Sequence, residues 1–167
     1  MSTRANIIVK GINKETNEPQ YVQVYHHCDG MPSGVGKELN IALQSLCDAE
    51  VEFPITTETT LKSPVDFVSA IINNPLCGEE YEYEFKCDDE DELNPHGDLE
   101  YLYFIDLTDR TIECRHLYIF DTAKYDTVMD YLRTPYKELM QADNVIYKMV
   151  FNDTRTVEEA IKDRKKE

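Results

Sequence analysis

The stretch Tyr21-Val22-Gln23-Val24-Tyr25-His26-His27-Cys28-Asp29-Gly30-Met31-Pro32-Ser33-Gly34-Val35-Gly36 changes period partway along, and that change decides the fold class. Tyr21 to His27 alternates as a half-buried strand does, with Val22, Val24 and His26 on one face and Tyr21, Gln23, Tyr25 and His27 on the other. The two histidines therefore point opposite ways. Cys28 to Gly34 is dense in turn formers, and from Val35 onward Leu39, Ala42, Leu43 and Leu46 recur at helical spacing. Strand, tight turn and amphipathic helix in succession mean a sheet with a helix packed on it. Ser33 is placed to cap that helix, and Gly34 and Gly36 allow close approach of backbone N–H groups.

Toward the amino terminus, Ile7-Ile8-Val9 is a short β-branched run separated from Tyr21 by polar residues, which predicts a hairpin of the two segments. Toward the carboxyl terminus, Phe53 to Lys62 is Thr-rich and ambiguous, and Ser63-Pro64 opens a second helix over about Val65 to Asn73. Tyr81, Tyr83 and Phe85 then alternate with Glu82 and Glu84 as a strand, and Asp88 to Gly97 reads as a loop. Leu99 to Leu107 and Thr111 to Phe120 form a second expected hairpin, closed at Thr108-Asp109-Arg110. Asp121 caps a helical stretch over Ala123 to Leu132, and Pro135 opens another. Residues 145–151 fit helix or strand equally, and Val157 to Lys166 is a charged helix whose basic end suits its dipole. The expectation is one α+β domain over 1–167, with an antiparallel sheet of about five or six strands built on two hairpins and helices packed on it. Residues 152–167 are expected as a charged helix at its periphery.

The charge balance narrows the partners. Thirty-three acids against 17 Lys and Arg give a formal net charge of −16, and such a field opposes direct binding to nucleic acid or anionic lipid. Eleven of the acids fall in residues 79–100 against the single base Lys86. That surface suits a basic protein partner or a mimic of a phosphate backbone, and otherwise serves solubility. Cys28, Cys47, Cys77, Cys87 and Cys114 are odd in number and contain no Cys-x-x-Cys pair, so they are expected as free thiols in a reducing compartment. No segment has the length and apolarity of a membrane span or signal sequence, and the expected location is cytoplasmic.

Chemistry-bearing motifs are few. A phosphate loop would need glycine at Met31 and Ser or Thr at Glu38, and Gly34-x-Gly36 finds no third glycine at Leu39. His27 and Asp29, two apart across a turn, could pair as an oriented imidazole or join Cys28 or a metal in hydrolysis, and they are the candidate catalytic residues. The alternative is a structural hydrogen bond of His27 to its own turn, with His26 packed in the core. His96 and His116 near Asp98 and Glu100 lack metal-ligand spacing, so no metal or other cofactor is expected. Ser2, exposed if Met1 is removed, could act as an amino-terminal nucleophile.

Met1-Ser2-Thr3-Arg4, then Tyr25-His26-His27-Cys28-Asp29-Gly30-Met31-Pro32 with Gly34, then Gly97-Asp98-Leu99-Glu100-Tyr101 with Tyr103 stand in that order along the chain. Together they resemble a group of small phage and bacterial proteins that open Met-Gly-Thr-Arg and carry a Tyr-x-His-Trp-Asp-Gly-Tyr-Pro turn. Ser2, Cys28 and Met31 replace that pattern's glycine, tryptophan and tyrosine, which reduces the aromatic surface able to stack a ligand. The resemblance brings no settled activity. It implies a phage or mobile-element origin and makes Arg4, His27, Asp29, Gly30, Asp98 and Glu100, with Thr3, one group of binding residues in which Arg4 ion-pairs to fix the turn. The expected function is a non-enzymatic accessory protein that binds a host protein or small ligand through the His27 turn and the acidic 79–100 face. The alternatives are a hydrolase using His27 and Asp29, and an acidic nucleic-acid mimic.

Overall fold

Ala5–Ile12 (β1) contains Ile7, Ile8 and Val9, each at 0% exposure, so both faces of the strand are covered. A strand buried on both faces belongs inside a sheet. The computed structural model, which describes residues 3–52, 60–73, 81–95, 99–117, 136, 140 and 144–166, places it there. Its partners are Pro19–His26 (β2), Tyr81–Cys87 (β3), Tyr101–Asp106 (β4), Thr111–His116 (β5) and Val145–Val150 (β6), in the spatial order β3-β2-β1-β4-β5-β6.

The sheet is mixed. β1 pairs antiparallel with β2 but parallel with β4, from Ala5 opposite Tyr101 to Lys10 opposite Asp106, and the remaining neighbours are antiparallel. This corrects the expectation of a wholly antiparallel sheet. Period-two alternation shows which face a side chain takes and carries no information on which strand lies alongside. Residues 145–150, ambiguous in sequence, are the edge strand β6.

Three helices among the described residues, Lys37–Glu52 (α1), Pro64–Ile72 (α2) and Val157–Lys165 (α3), complete the α+β fold. Leu39 and Leu43 of α1, Phe67 and Ile71 of α2, and Val157 and Ala160 of α3 join one core with Ile7, Val9, Val24, Tyr103, Cys114 and Tyr147 of the sheet. On the opposite face Ile8, Tyr21 and Leu102 form a second cluster with Leu93, Leu99, Leu117 and Tyr136. Ser63 caps α2, its Oγ accepting from the Asp66 N–H at 3.4 Å, with Pro64 in the first turn. Ser33 does not cap α1. A π-helical turn, Pro32–Gly36, precedes that helix with Met31 at its N-cap, because Pro32 fits only the first turn. Among the described residues no helix is long and apolar enough to cross a membrane. Ser2, Cys77, His96, Asp98, residues 53–59 of the ambiguous segment 53–62, the expected helix over 123–132 and most of the helical stretch expected from Pro135 lie outside the described residues.

Burial of acidic protons gives this core a pH signature. Desolvation raises Tyr103, Tyr147 and Cys114 above their ordinary values, and raises Cys87 from 9.0 to about 11. Each group holds its proton more tightly folded than unfolded. For Cys87 the contribution to stability is therefore complete below pH 9.0 and is lost as pH rises through about 11. Thermal melts across that window are expected to show a falling Tm. Thiol alkylation at neutral pH should label exposed Cys28 well before buried Cys87 and Cys114.

Candidate functional site at the His27 turn and the acidic sheet edge

The turn after β2 is held on both sides through the backbone of Gly30. The Gly30 N–H donates to the Thr3 carbonyl at 2.9 Å, and the Gly30 carbonyl accepts from buried Tyr103 Oη at 2.7 Å. A Cβ on Gly30 would lie 2.9 Å from both the Ala5 Cβ and the Thr3 oxygen, so glycine is required for this approach. Asp29 adopts a left-handed φ of 54°, and its carbonyl accepts from the Val35 N–H at 2.9 Å. The Gly34 and Gly36 N–H groups both donate to the Met31 carbonyl, at 2.9 and 3.4 Å. The N–H groups that an anion would need at this glycine-rich turn are thus used internally.

His26 is 2% exposed on the helix side, and its ring packs on that of Tyr81 with centroids 4.8 Å apart. Tyr81 Oη donates to Glu38 Oε2 of α1 at 2.9 Å. His27 is exposed on the other side, with Nδ1 2.9 Å from Tyr25 Oη. Among the described residues no hydrogen bond or ion pair joins His27 to Asp29 or Cys28, both of which are exposed. A phenol beside the imidazole does not supply the carboxylate orientation expected of an acid–base pair.

The lead-in to β1 connects the turn to the 99–101 segment. The Glu100 and Tyr101 N–H groups both donate to the Arg4 carbonyl, at 3.1 and 3.3 Å, one residue from the Thr3–Gly30 bond. Arg4, Gly30 and Glu100 are thereby gathered at one end of the sheet by main-chain bonds, and Asp29 lies on the same turn. Asp98 lies outside the described residues. The strand registers also line up Tyr81, His26, Ala5, Tyr101 and His116 in one row across five strands. Tyr101 and His116 pack at 5.0 Å, so two histidine–tyrosine pairs flank small Ala5, where Gly30 enters. Glu38 and Tyr81 were not anticipated as part of this end, because only the β3 register and the seating of α1 bring them to it. Among the described residues no group of three or more His, Cys, Asp or Glu side chains could hold a metal, and His116 instead packs on Tyr101.

Acidic residues line the edge that β3 forms among the described residues. β3 ends the sheet, and Glu82, Asp88, Asp89, Asp91 and Glu92 are exposed along it and just beyond. Asp89 Oδ1 accepts from the Asp91 N–H at 2.9 Å and fixes the 3-10 turn Glu90–Glu92. Glu84, also on β3, is half-buried. It sits at a register shift and turns inward, where Oε1 accepts from Asn6 Nδ2 at 2.7 Å and Gln23 Nε2 at 3.1 Å. Gln23 in turn holds Asn94 through both its amide atoms, at 2.9 and 3.0 Å, which anchors the loop. Tyr25 opposes Glu82 in the register, so the Tyr25–His27 pair adjoins the acidic edge, and Tyr83 is 49% exposed on the same strand. No protein-family model, curated protein or solved structure matches this chain.

Proposed function

We propose that this chain is a non-enzymatic binding module, an accessory protein of a phage or mobile element, that engages a basic segment of a host protein through the acidic β3 edge and the adjoining His27 turn. The observation that carries this is the run of exposed carboxylates along β3 and just beyond it, with Tyr25 and its bonded His27 beside Glu82 on one face of that edge and exposed Tyr83 on the other. Fixed charges beside aromatic rings steer a basic partner and give it something to pack on. The phage origin rests on the resemblance carried by Met1 to Arg4, Tyr25 to Gly34 and Gly97 to Tyr103. Hydrolysis through His27 and Asp29 has less support, since His27 meets Tyr25 instead. Phosphate mimicry is weakened by the withdrawal of Glu84 from the acidic run.

The test is affinity capture from host lysate, followed by measurement with the purified pair. Charge reversal at Glu82, Asp88 and Asp91 together should weaken binding at least about tenfold, and raising salt should slow association. His27→Ala should cost a smaller factor. Recovery of no specific host protein would count against the proposal, as would an affinity that ignores both the charge reversals and the salt.

A further inference from the structure

A buried amide on the helix face of the sheet has nothing to bond. Gln20 of β2 is 5% exposed, and among the described residues neither its Nε2 nor its Oε1 has a hydrogen-bond partner. An unpartnered buried polar group costs stability, so its presence calls for a reason. Gln20 shares the face of Val22, and it lines a cleft of about 260 Å³ between the β1–β2 hairpin, the first turn of α2 and Lys86 of β3.

The cleft is rich in donors. Ser63, 2% exposed, accepts from the Asp66 N–H, which leaves its own O–H free to donate into the space it lines. Pro64 has no N–H, so Val65 presents the first N–H of α2, and among the described residues that N–H has no acceptor. Lys86 is exposed and has no ion-pair partner among the described residues. It is the single base of residues 79–100, a cation for which the acidic-edge reading has no use. Its cross-strand neighbour is Val22, which puts it on the Gln20 side of the sheet.

The cleft is also preformed. The Ile12 N–H donates to the Lys62 carbonyl at 2.8 Å, and Lys14 Nζ donates to both carboxylate oxygens of Asp66, at 3.0 and 3.3 Å, so the hairpin is tied to the start of α2 and the Asp66 charge is matched. Glu15 is the only acid that lines the cleft. Against it stand Lys86, the amino-terminal end of a helix and the neutral donors, a balance that favours an anion. Glu15 and the net charge of −16 repel a dianion more strongly than a monoanion.

We infer that this cleft binds a small monocarboxylate, whose oxygens accept from Gln20 Nε2, the Ser63 hydroxyl and the Val65 N–H while Lys86 supplies the countercharge. Its volume lies below the range of about 300–1,000 Å³ that suits drug-sized ligands, so the occupant is small. The inference is independent of the host-protein proposal, since Glu82, Asp88 and Asp91 do not line the cleft.

Acetate is the probe. Isotope-labelled full-length protein is titrated with sodium acetate at constant ionic strength, balanced with sodium chloride, and separately with acetamide and with inorganic phosphate. Saturable shifts are expected at the Gln20 side-chain amide and at the Val65 and Lys86 backbone N–H groups, and acetamide should not reproduce them. Gln20→Leu, which replaces an unpartnered amide by an apolar group of similar size, should weaken acetate binding about tenfold while Tm stays unchanged or rises. Lys86→Gln should weaken it about fivefold, and at an exposed position it tests binding even where Gln20→Leu fails to fold. A lower Tm in Gln20→Leu with acetate affinity unchanged would make the glutamine structural and overturn the inference. Shifts that fail to saturate, tighter binding of phosphate than of acetate, or affinity undiminished in Lys86→Gln would overturn it equally.

Discussion

Gly34→Ala is expected to destabilise the protein by about 3 kcal/mol or more, lowering Tm by upward of about 6 °C. A Cβ at this position would overlap the Asp29 carbonyl oxygen and lie 3.1 Å from the Asp29 carbonyl carbon and Cβ. The obstruction is backbone, and that backbone is tied down. The Asp29 carbonyl accepts from Val35, Asp29 is already in a left-handed conformation, and Gly30 beyond it is bonded to Thr3 and Tyr103. Relief by a side-chain rotation is not available, so the π-helical turn must open or the 27–30 turn must move. Ser33→Ala, an exposed change in the same turn, should stay within about 0.5 kcal/mol and serves as the control. Urea denaturation of the two variants measures the contrast, and equal stability would mean the turn is looser than its bonds indicate.

The other large effect is expected on the far side of the sheet. Arg115 and Glu113, neighbours along β5, form an ion pair with Nη2–Oε1 at 2.8 Å and side-chain exposures of 10% and 14%. Arg115 Nη1 also donates to Asn144 Oδ1 at 3.1 Å, and Asn144 Nδ2 donates to the His116 carbonyl at 3.0 Å. Arg115→Met leaves the Glu113 carboxylate desolvated without its cation, at a cost of about 3–5 kcal/mol. Adding Glu113→Leu removes the stranded charge and should restore much of the loss, because the site adjoins an apolar cluster that includes Leu102, the cross-strand neighbour of Arg115. A double-mutant cycle by chemical denaturation checks this, and simple additivity of the two single losses would contradict it.

The parts of the fold that local chemistry dictates were legible. Spacing from Val35 to Leu46 and the Ser63-Pro64 signature mark two helices, and Thr108 to Arg110 marks the turn between β4 and β5. The parallel seating of β1 on β4 was not legible, because the apolar runs of both strands suit a buried position without naming a neighbour. At the candidate site, Tyr25 and His27 share a face as alternation requires. The left-handed φ of Asp29 breaks that alternation, so the two-residue spacing of His27 and Asp29 does not carry into space. The bond between Tyr81 and Glu38 spans 43 residues and depends on β3 register, which no local pattern encodes.

The parallel pair also bears on how the chain comes off the ribosome. β1 precedes one of its two neighbours, β4, by a long stretch of chain, for β4 begins only at Tyr101. The centre of the sheet is therefore synthesised long before it can be enclosed, and pairing that closes so large a loop is slow to form. During that interval Ile7-Ile8-Val9, the most thoroughly buried run of the finished strand, is exposed, uncharged and rich in β-branched side chains. β1 is thus the segment most prone to aggregate in nascent or truncated chains that stop short of β4.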